Sequence, residues 1–183
     1  MVLVQVHGKA VVRMLIARPF SREALKLHPF TCGEPELGDW PARYAGQHER
    51  KDNARTTLLL DEEAGRIAGY YSMRTFELSA EDATTTLGRA RRYPAPAMLV
   101  TRLAVDVAYQ GQGVGRLLLF DALQKLLAAA ASIGFEIVVV HALHEGASCF
   151  YLKHGFRRFL DHDLSLFLTT KDLRATFAAA DPS

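Results

Sequence analysis

MLVTRLAVDVAYQGQGVGRLLLFDALQKLLAAAA, residues 98–131, joins an alternating apolar run to a Leu-rich stretch through three glycines, Gly111, Gly113 and Gly115. The first part, to Asp106, has the period of a strand. In the last part Leu119, Leu123, Leu126, Leu127 and Ala130 recur at i, i+4, i+7, i+8 and i+11. That spacing is one face of an amphipathic helix. The glycines therefore sit at a strand-to-helix junction. Without Cβ atoms, backbone N–H groups can turn inward there. The first turn of a helix adds unpaired N–H groups and a partial positive charge. Together these make a cradle for an anion such as a pyrophosphate, with Arg116 at the rim. A tight turn with no ligand is the competing reading of three glycines alone.

Outward from this junction the chain alternates element types. ARTTLLLDEE and GRIAGYYSMRTFEL read as two antiparallel strands around a turn at Glu62 to Gly65. MLIARPF reads as a first strand from Met14, with residues 1–13 as an extension before it. SREALKL and EPELGDWPARYAGQHERK read as helical pieces, and Pro41 marks a start or a break near Trp40. Residues 79–95 lack a clear period and read as a loop. FEIVVVHAL is a continuous apolar run, suited to a strand covered on both faces. EGASCFYLKH reads as a helix stopped by Gly155, and FRRFLDHDLSLFLTT as two short strands. Gly134 is placed to end the Leu-rich helix. The expectation is a single α/β (α+β) domain over 14–170: a mixed, mostly antiparallel sheet with a central parallel pair, flanked by helices, and a tail over 171–183.

Composition narrows the class. The chain has 183 residues, 49% hydrophobic and 23% charged, with a net charge of +2, which suits an ordinary globular domain rather than a strongly basic nucleic-acid binder. No apolar run reaches the ~18 residues of a membrane span. The two cysteines, Cys32 and Cys149, form no Cys-x-x-Cys pattern, so a reducing, cytoplasmic setting without a metal site is expected. Basic residues cluster in GRARRYP, which holds Arg89, Arg91 and Arg92, and in QHERKDNAR.

Neither the Rossmann G-x-G-x-x-G nor the P-loop spacing fits 111–115. Gln110-x-x-Gly113-x-Gly115 after a strand ending in LAVD instead resembles the acetyl-coenzyme A signature of the GNAT N-acetyltransferases, and the order of elements is similar to the GNAT fold. The resemblance implies a parallel pair that splays apart. Backbone groups of Leu103, Ala104 and Val105 would meet the pantetheine arm, and Gln110, Gly111, Gln112, Gly113, Val114, Gly115 and Arg116 the pyrophosphate. Tyr151, in FYLKHGF, matches the family's general acid, whose hydroxyl protonates the departing thiolate. Its neighbour Phe150 is expected to be the core aromatic. His141 and Glu145 are weighed as a general base against a structural role, and Cys149 reads as a small core residue.

FTCGEPELGDW, GYYSM, RLAVDVAYQGQGVGRLLLFDAL and FYLKHGF further resemble the acetyltransferase toxins of type II toxin–antitoxin systems. That branch implies acetylation of the α-amine of aminoacyl-tRNA, a block of translation, a ribbon-helix-helix antitoxin and a homodimer. Arg89, Arg91, Arg92 and Arg102 are then candidates for tRNA phosphates. Two positions depart from the branch. His144 stands where an acidic residue is common, which bears on a helix cap, and Pro41 interrupts an early helix. Two other readings remain open: an N-acetyltransferase for a small amine or protein N-terminus, and a non-catalytic module that binds coenzyme A.

Overall fold

A computed structural model describes residues 3–8, 11–26 and 30–178. The chain divides into two compact units. One holds the chain up to Arg74 together with Arg102–Ala122; the other holds Thr75–Thr101 together with the chain from Leu123 on.

In the first unit β1 (Leu3–Gly8), β2 (Val11–Pro19), β3 (Arg55–Asp61) and β4 (Arg66–Leu78) follow one another as antiparallel neighbours. The first strand expected from Met14 thus starts at Val11, and the stretch before it carries a strand of its own. SREALKL holds a 3₁₀ turn over Ala24–Lys26 rather than a longer helix. β5 (Ala95–Val105) and α4 (Val114–Ala129) enter this unit through Arg102–Ala122.

A shift of register between Leu59 and Leu60 changes which face β4 presents. Beyond it Tyr71 and Met73 face α4, in a core with Leu15, Leu59, Tyr109, Val114 and Leu118. Tyr70 faces the opposite core of Trp40, Ala45, Leu58 and Ala104. Gly69 lies where a Cβ would stand 2.7 Å from the Ala104 carbonyl oxygen and 2.7 Å from Leu118 Cδ1. Only glycine lets β4 approach both so closely.

The early helix corrects the expectation at Pro41. α1 (Pro35–Trp40) does not stop there. It widens into a π-helical segment, Pro41–Ala45, and resumes as α2 (Gly46–Arg50). Proline lacks an N–H for the carbonyl four residues back and crowds it; local widening of the helix relieves this. That carbonyl belongs to Leu37, and it accepts the Tyr70 hydroxyl at 2.7 Å instead. Trp40 is brought flat against Tyr70, with ring centroids 5.8 Å apart at 7°.

In the second unit β5 pairs in parallel with β6 (Ile137–His141), β6 pairs antiparallel with β8 (Ser165–Thr169), and β7 (Arg157–Arg158) edges β8. The β5–β6 ladder runs from Ala97↔Ile137 to Val100↔Val140, while β5 continues to Val105. The parallel pair and the mostly antiparallel remainder are those expected. Two segments differ. Residues 79–95 contain α3 (Ala80–Leu87), capped by Ser79, whose hydroxyl accepts the Asp82 N–H at 3.0 Å, and closed by Gly88 at φ +69°. The stretch expected as a tail begins with α6 (Thr170–Ala178). α4 ends at Ala129, five residues before Gly134. α5 (Glu145–Leu152) and the stop at Gly155, φ +87°, are as expected.

Tyr70→Phe should lower stability by about 1–3 kcal/mol, because the Leu37 carbonyl loses its donor. In a Pro41→Ala background the backbone N–H can return to that carbonyl, and the cost should shrink by ~1 kcal/mol. Urea denaturation of the four proteins of this cycle checks both; equal costs in the two backgrounds would separate Tyr70 from the proline.

Candidate active site

The glycine loop is held by a carboxylate. Asp106, 1% exposed at the end of β5, accepts the Ala108 N–H at 3.0 Å and the Thr31 N–H at 3.1 Å, with the Arg66 guanidinium 3.6 Å away. Val107 N–H returns a bond to the Thr31 carbonyl at 2.8 Å. The Tyr109 hydroxyl donates to Asp61 at 2.8 Å. These bonds set a 3₁₀ turn, Val107–Tyr109, that feeds the glycines. Only LAVD hinted at Asp106 in the sequence; Asp61 and Tyr109 carried no signal, since their pairing spans 48 residues.

Gly111 and Gly113 have φ +72° and +82°, and a Cβ on either would meet no atom within 4 Å. Left-handed backbone, not tight packing, is what calls for glycine, and the space in front of both is open. The first helical bond of α4 runs from Leu117 N–H to the Gly113 carbonyl, 3.2 Å. The N–H groups of Val114, Gly115 and Arg116 therefore have no partner within the helix. Arg116 is exposed beside them. Donors, dipole, cation and open space fit a pyrophosphate.

The glutamines of the motif act on the loop itself. Gln110 Nε2 donates to the carbonyls of Cys32, 2.9 Å, and Val105, 3.0 Å; Gln112 Nε2 donates to Ala108 O at 2.8 Å. Leu103 and Val105 pack beside the α4-facing core, and Ala104 lies in the opposite one.

In the second unit His144 opens α5. Its Nδ1 accepts the Ala147 N–H at 3.2 Å, so an imidazole does the capping that an acidic side chain would do. Glu145 is bound to Arg158, whose charge and hydrogen bond hold its carboxyl below the usual range. His141 Nδ1 lies 2.9 Å from Ser165 Oγ, in the wall of a cavity of about 310 Å³ shared with Phe76, Leu78, Val139 and Phe159. Cys149 is exposed, contrary to the core position expected.

The two aromatics of α5 also reverse their expected places. Tyr151 is 7% exposed and Phe150 only partly buried. Tyr151 lies edge-on to Phe150 and Phe156, at 5.2 and 5.5 Å. Its hydroxyl has no hydrogen-bond partner among the described residues. The hydroxyl oxygen is not among the fully buried unpaired polar atoms, so it is open to a partner. Burial pushes its ionisation upward, so the proton stays on at neutral pH.

The arginines divide. Arg89 and Arg91 both bind Glu136, Arg89 at 2.8 Å, and the Arg91 side chain is only 13% exposed. Arg92 is exposed, 5.8 Å over the Tyr93 ring. Arg102 is half-buried, 4.6 Å over Trp40. Among the described residues no group of three or more His, Cys, Asp or Glu is placed to hold a metal, and no helix is long and apolar enough to cross a membrane.

Comparison with known proteins gives the class. The family model for the acetyltransferase (GNAT) domain matches residues 53–158. The chain belongs to this family and is an acetyl-CoA-dependent N-acetyltransferase. It is 36% identical over 146 residues to a tRNA-acetylating toxin of Mycobacterium tuberculosis, covering 80% of this chain and 87% of that one. Among solved structures, a Tyr-to-Phe mutant of KacT superposes with a TM-score of 0.81 at 25% identity, over 89% of this chain and 99% of that one. A Tyr-to-Phe mutant of the AtaT toxin, bound to acetyl-CoA and the C-terminus of the antitoxin AtaR, gives 0.76 at 26%, over 89% and 98%.

Gly113→Asp puts a carboxylate into the open space before the α4 N-terminus. Coenzyme A affinity by calorimetry should fall about tenfold or more, ~1.4 kcal/mol or above. Unchanged affinity in a folded variant would remove the loop from the coenzyme site.

Proposed function

We propose that the chain transfers the acetyl group of acetyl-CoA to the α-amine of aminoacyl-tRNA and so arrests translation as the toxin of a toxin–antitoxin pair. Its similarity to the tRNA-acetylating toxin of M. tuberculosis, at 36% identity over 80% of the chain, is the observation that carries the acceptor. In this reading the α4 N-terminus and the 110–116 loop hold the pyrophosphate, with Arg116 at the rim, and β5 from Leu103 to Val105 lies along the pantetheine arm. The amine nitrogen bonds to the acetyl carbon, the carbon–sulfur bond breaks, and Tyr151 gives its proton to sulfur. The ammonium proton leaves to water. An ester-linked α-amine is less basic than a lysine, so no dedicated base is assigned, and His141 stays with Ser165.

Burial that keeps Tyr151 protonated also raises the proton affinity of a thiolate placed beside it, so proton transfer is not opposed by the phenol's own shift. Of the candidate arginines at 89, 91, 92 and 102, Arg92 and Arg102 are the ones that supply positive charge toward RNA. Arg92 and Arg102 have no carboxylate within 4.0 Å among the described residues, whereas Arg89 and Arg91 share Glu136. A homodimer, a ribbon-helix-helix antitoxin and a cytoplasmic setting complete the proposal. The bound antitoxin AtaR in the AtaT structure supports a protein antitoxin.

Tyr151→Phe removes one oxygen and keeps the ring. Acetyl transfer should drop about 10²-fold or more while coenzyme A binding holds. Mass spectrometry of aminoacyl-adenosine released from tRNA after incubation with acetyl-CoA reads the product. Normal turnover in the variant would return Tyr151 to a packing role. Acetylation of a small amine or peptide, with none on any aminoacyl group, would replace the tRNA acceptor.

A further inference from the structure

Among the arginines of the first unit that have no carboxylate within 4.0 Å, Arg74 and Arg102 act on one another and Arg102 is half-buried. Past the register shift in β4, Tyr70, Ser72 and Arg74 share one face, since side chains alternate along a strand. On β5, Leu103 and Val105 pack toward α4, so Arg102 and Ala104 share the other face. Tyr70 and Ala104 lie in the same core with Trp40. Arg74 and Arg102 thus stand on one side of the unit, opposite the α4 side that carries the glycine loop.

Arg102 is held firmly there. Its guanidinium lies 4.6 Å over Trp40, which is stacked on Tyr70, which is met edge-on by Phe30 at 5.4 Å. Burial lowers its proton affinity most; the like charge of Arg74 adds to that, while Tyr70 and Glu36 act the other way. Arg18, Arg43, Arg55 and Arg66 each have a carboxylate within 4.0 Å. Arg74 and Arg102 have none among the described residues, and Glu36 acts on Arg102 only from farther away.

A half-buried cation beside a second cation is unfavourable unless an anion joins it. Two guanidinium forks on one face match the oxygens of a phosphodiester. The phosphates of the coenzyme are accounted for on the α4 side. Trp40 is 3% exposed, so it offers no surface for a stacked base, and backbone phosphate is what remains to be bound.

We infer that Arg74 and Arg102 form a seat for a backbone phosphodiester of the acceptor RNA, an inference that rests on the aminoacyl-tRNA reading above. Arg74 is exposed and Arg102 is fixed by the aromatic column, so one cation adapts and the other orients.

The test uses full-length protein with Arg74→Gln and Arg102→Met; methionine keeps an apolar stem on Trp40. Binding of tRNA is measured by fluorescence anisotropy across a salt series. Each variant should flatten the slope of log affinity against log salt by about 0.7 to 0.9, the loss of one phosphate contact. KM for aminoacyl-tRNA should rise with kcat within about twofold, since a contact made equally in ground and transition states is lost. Coenzyme A affinity should be unchanged. If Arg102→Met fails to fold, Arg74→Gln carries the test. Wild-type slopes in the folded variants, a wild-type chain that binds no tRNA, or a loss of coenzyme A affinity in place of RNA affinity would each overturn the seat. If the slopes fall as expected but the wild-type chain acetylates no aminoacyl-tRNA, the seat stands and the acceptor reading fails.

Discussion

The buried carboxylate of Asp106 is the fixed point of the first unit. A lone carboxylate at 1% exposure would be strongly unfavourable. Here it is met by two backbone N–H donors and by Arg66. Charge-assisted bonds of this kind are among the stronger ones in proteins. They join three pieces of chain that are distant in sequence: the Phe30–Glu34 segment, Arg66 of β4, and the end of β5 with the turn that follows it into α4. The direction in which α4 begins follows from that junction, and so does the placement of the N–H groups of its first turn, the proposed cradle.

Two phenols extend the same constraint along α4. Tyr109 is tied to Asp61 at the end of β3, and Tyr71 of β4 donates to the buried Asp121 of α4. Gly69 lets the strand come close enough for Leu118 to pack against it. The helix is therefore held at its first turn by backbone and at its middle by a hydrogen bond and an apolar contact. Burial raises the proton affinity of Tyr71 most, and the hydrogen bond to Asp121 adds to it, so the phenol keeps its proton and donates. A cradle of backbone N–H groups works only if the helix that presents them does not move, and these contacts supply that rigidity.

What could be read from the sequence followed from locality. The glycine junction, β3, β4, β6 and α5 were legible because period, breakers and composition agree within about a dozen residues. α3 was hidden by its Thr-rich, weakly periodic face, although Ser79, Asp82 and Gly88 carry the start and stop signals of a helix. Pro41 read as a break because the rule for proline concerns an isolated helix; here Tyr70, 33 residues from Leu37, takes over the freed carbonyl. Phe150 and Tyr151 exchanged places because spacing gives only their relative angle, and His144 capped a helix through a ring nitrogen that a cap rule based on oxygen does not anticipate. Arg91 looked like a free cation within GRARRYP, yet Glu136, 45 residues on, holds it.

The same locality explains why the reaction class leaves a clearer mark on the sequence than the proposed acceptor does. The proposed cradle would be built from main-chain N–H groups, so its mark on the sequence is the conformational demand for glycine at 111 and 113, and that demand is local. Contacts to the proposed acceptor RNA would fall to long cationic side chains, which any surface carries for solubility. Their meaning depends on whether a carboxylate from another element neutralises them. Glu136 does so for Arg89 and Arg91, and no carboxylate within ion-pair distance does so for Arg74 or Arg102 among the described residues. Charge along the chain is thus a poor guide to charge in space. A cation becomes informative only once the fold has shown what stands beside it, and by that measure Arg102 above Trp40, with Arg74 on the same face, carries more information than the denser run at 89–92.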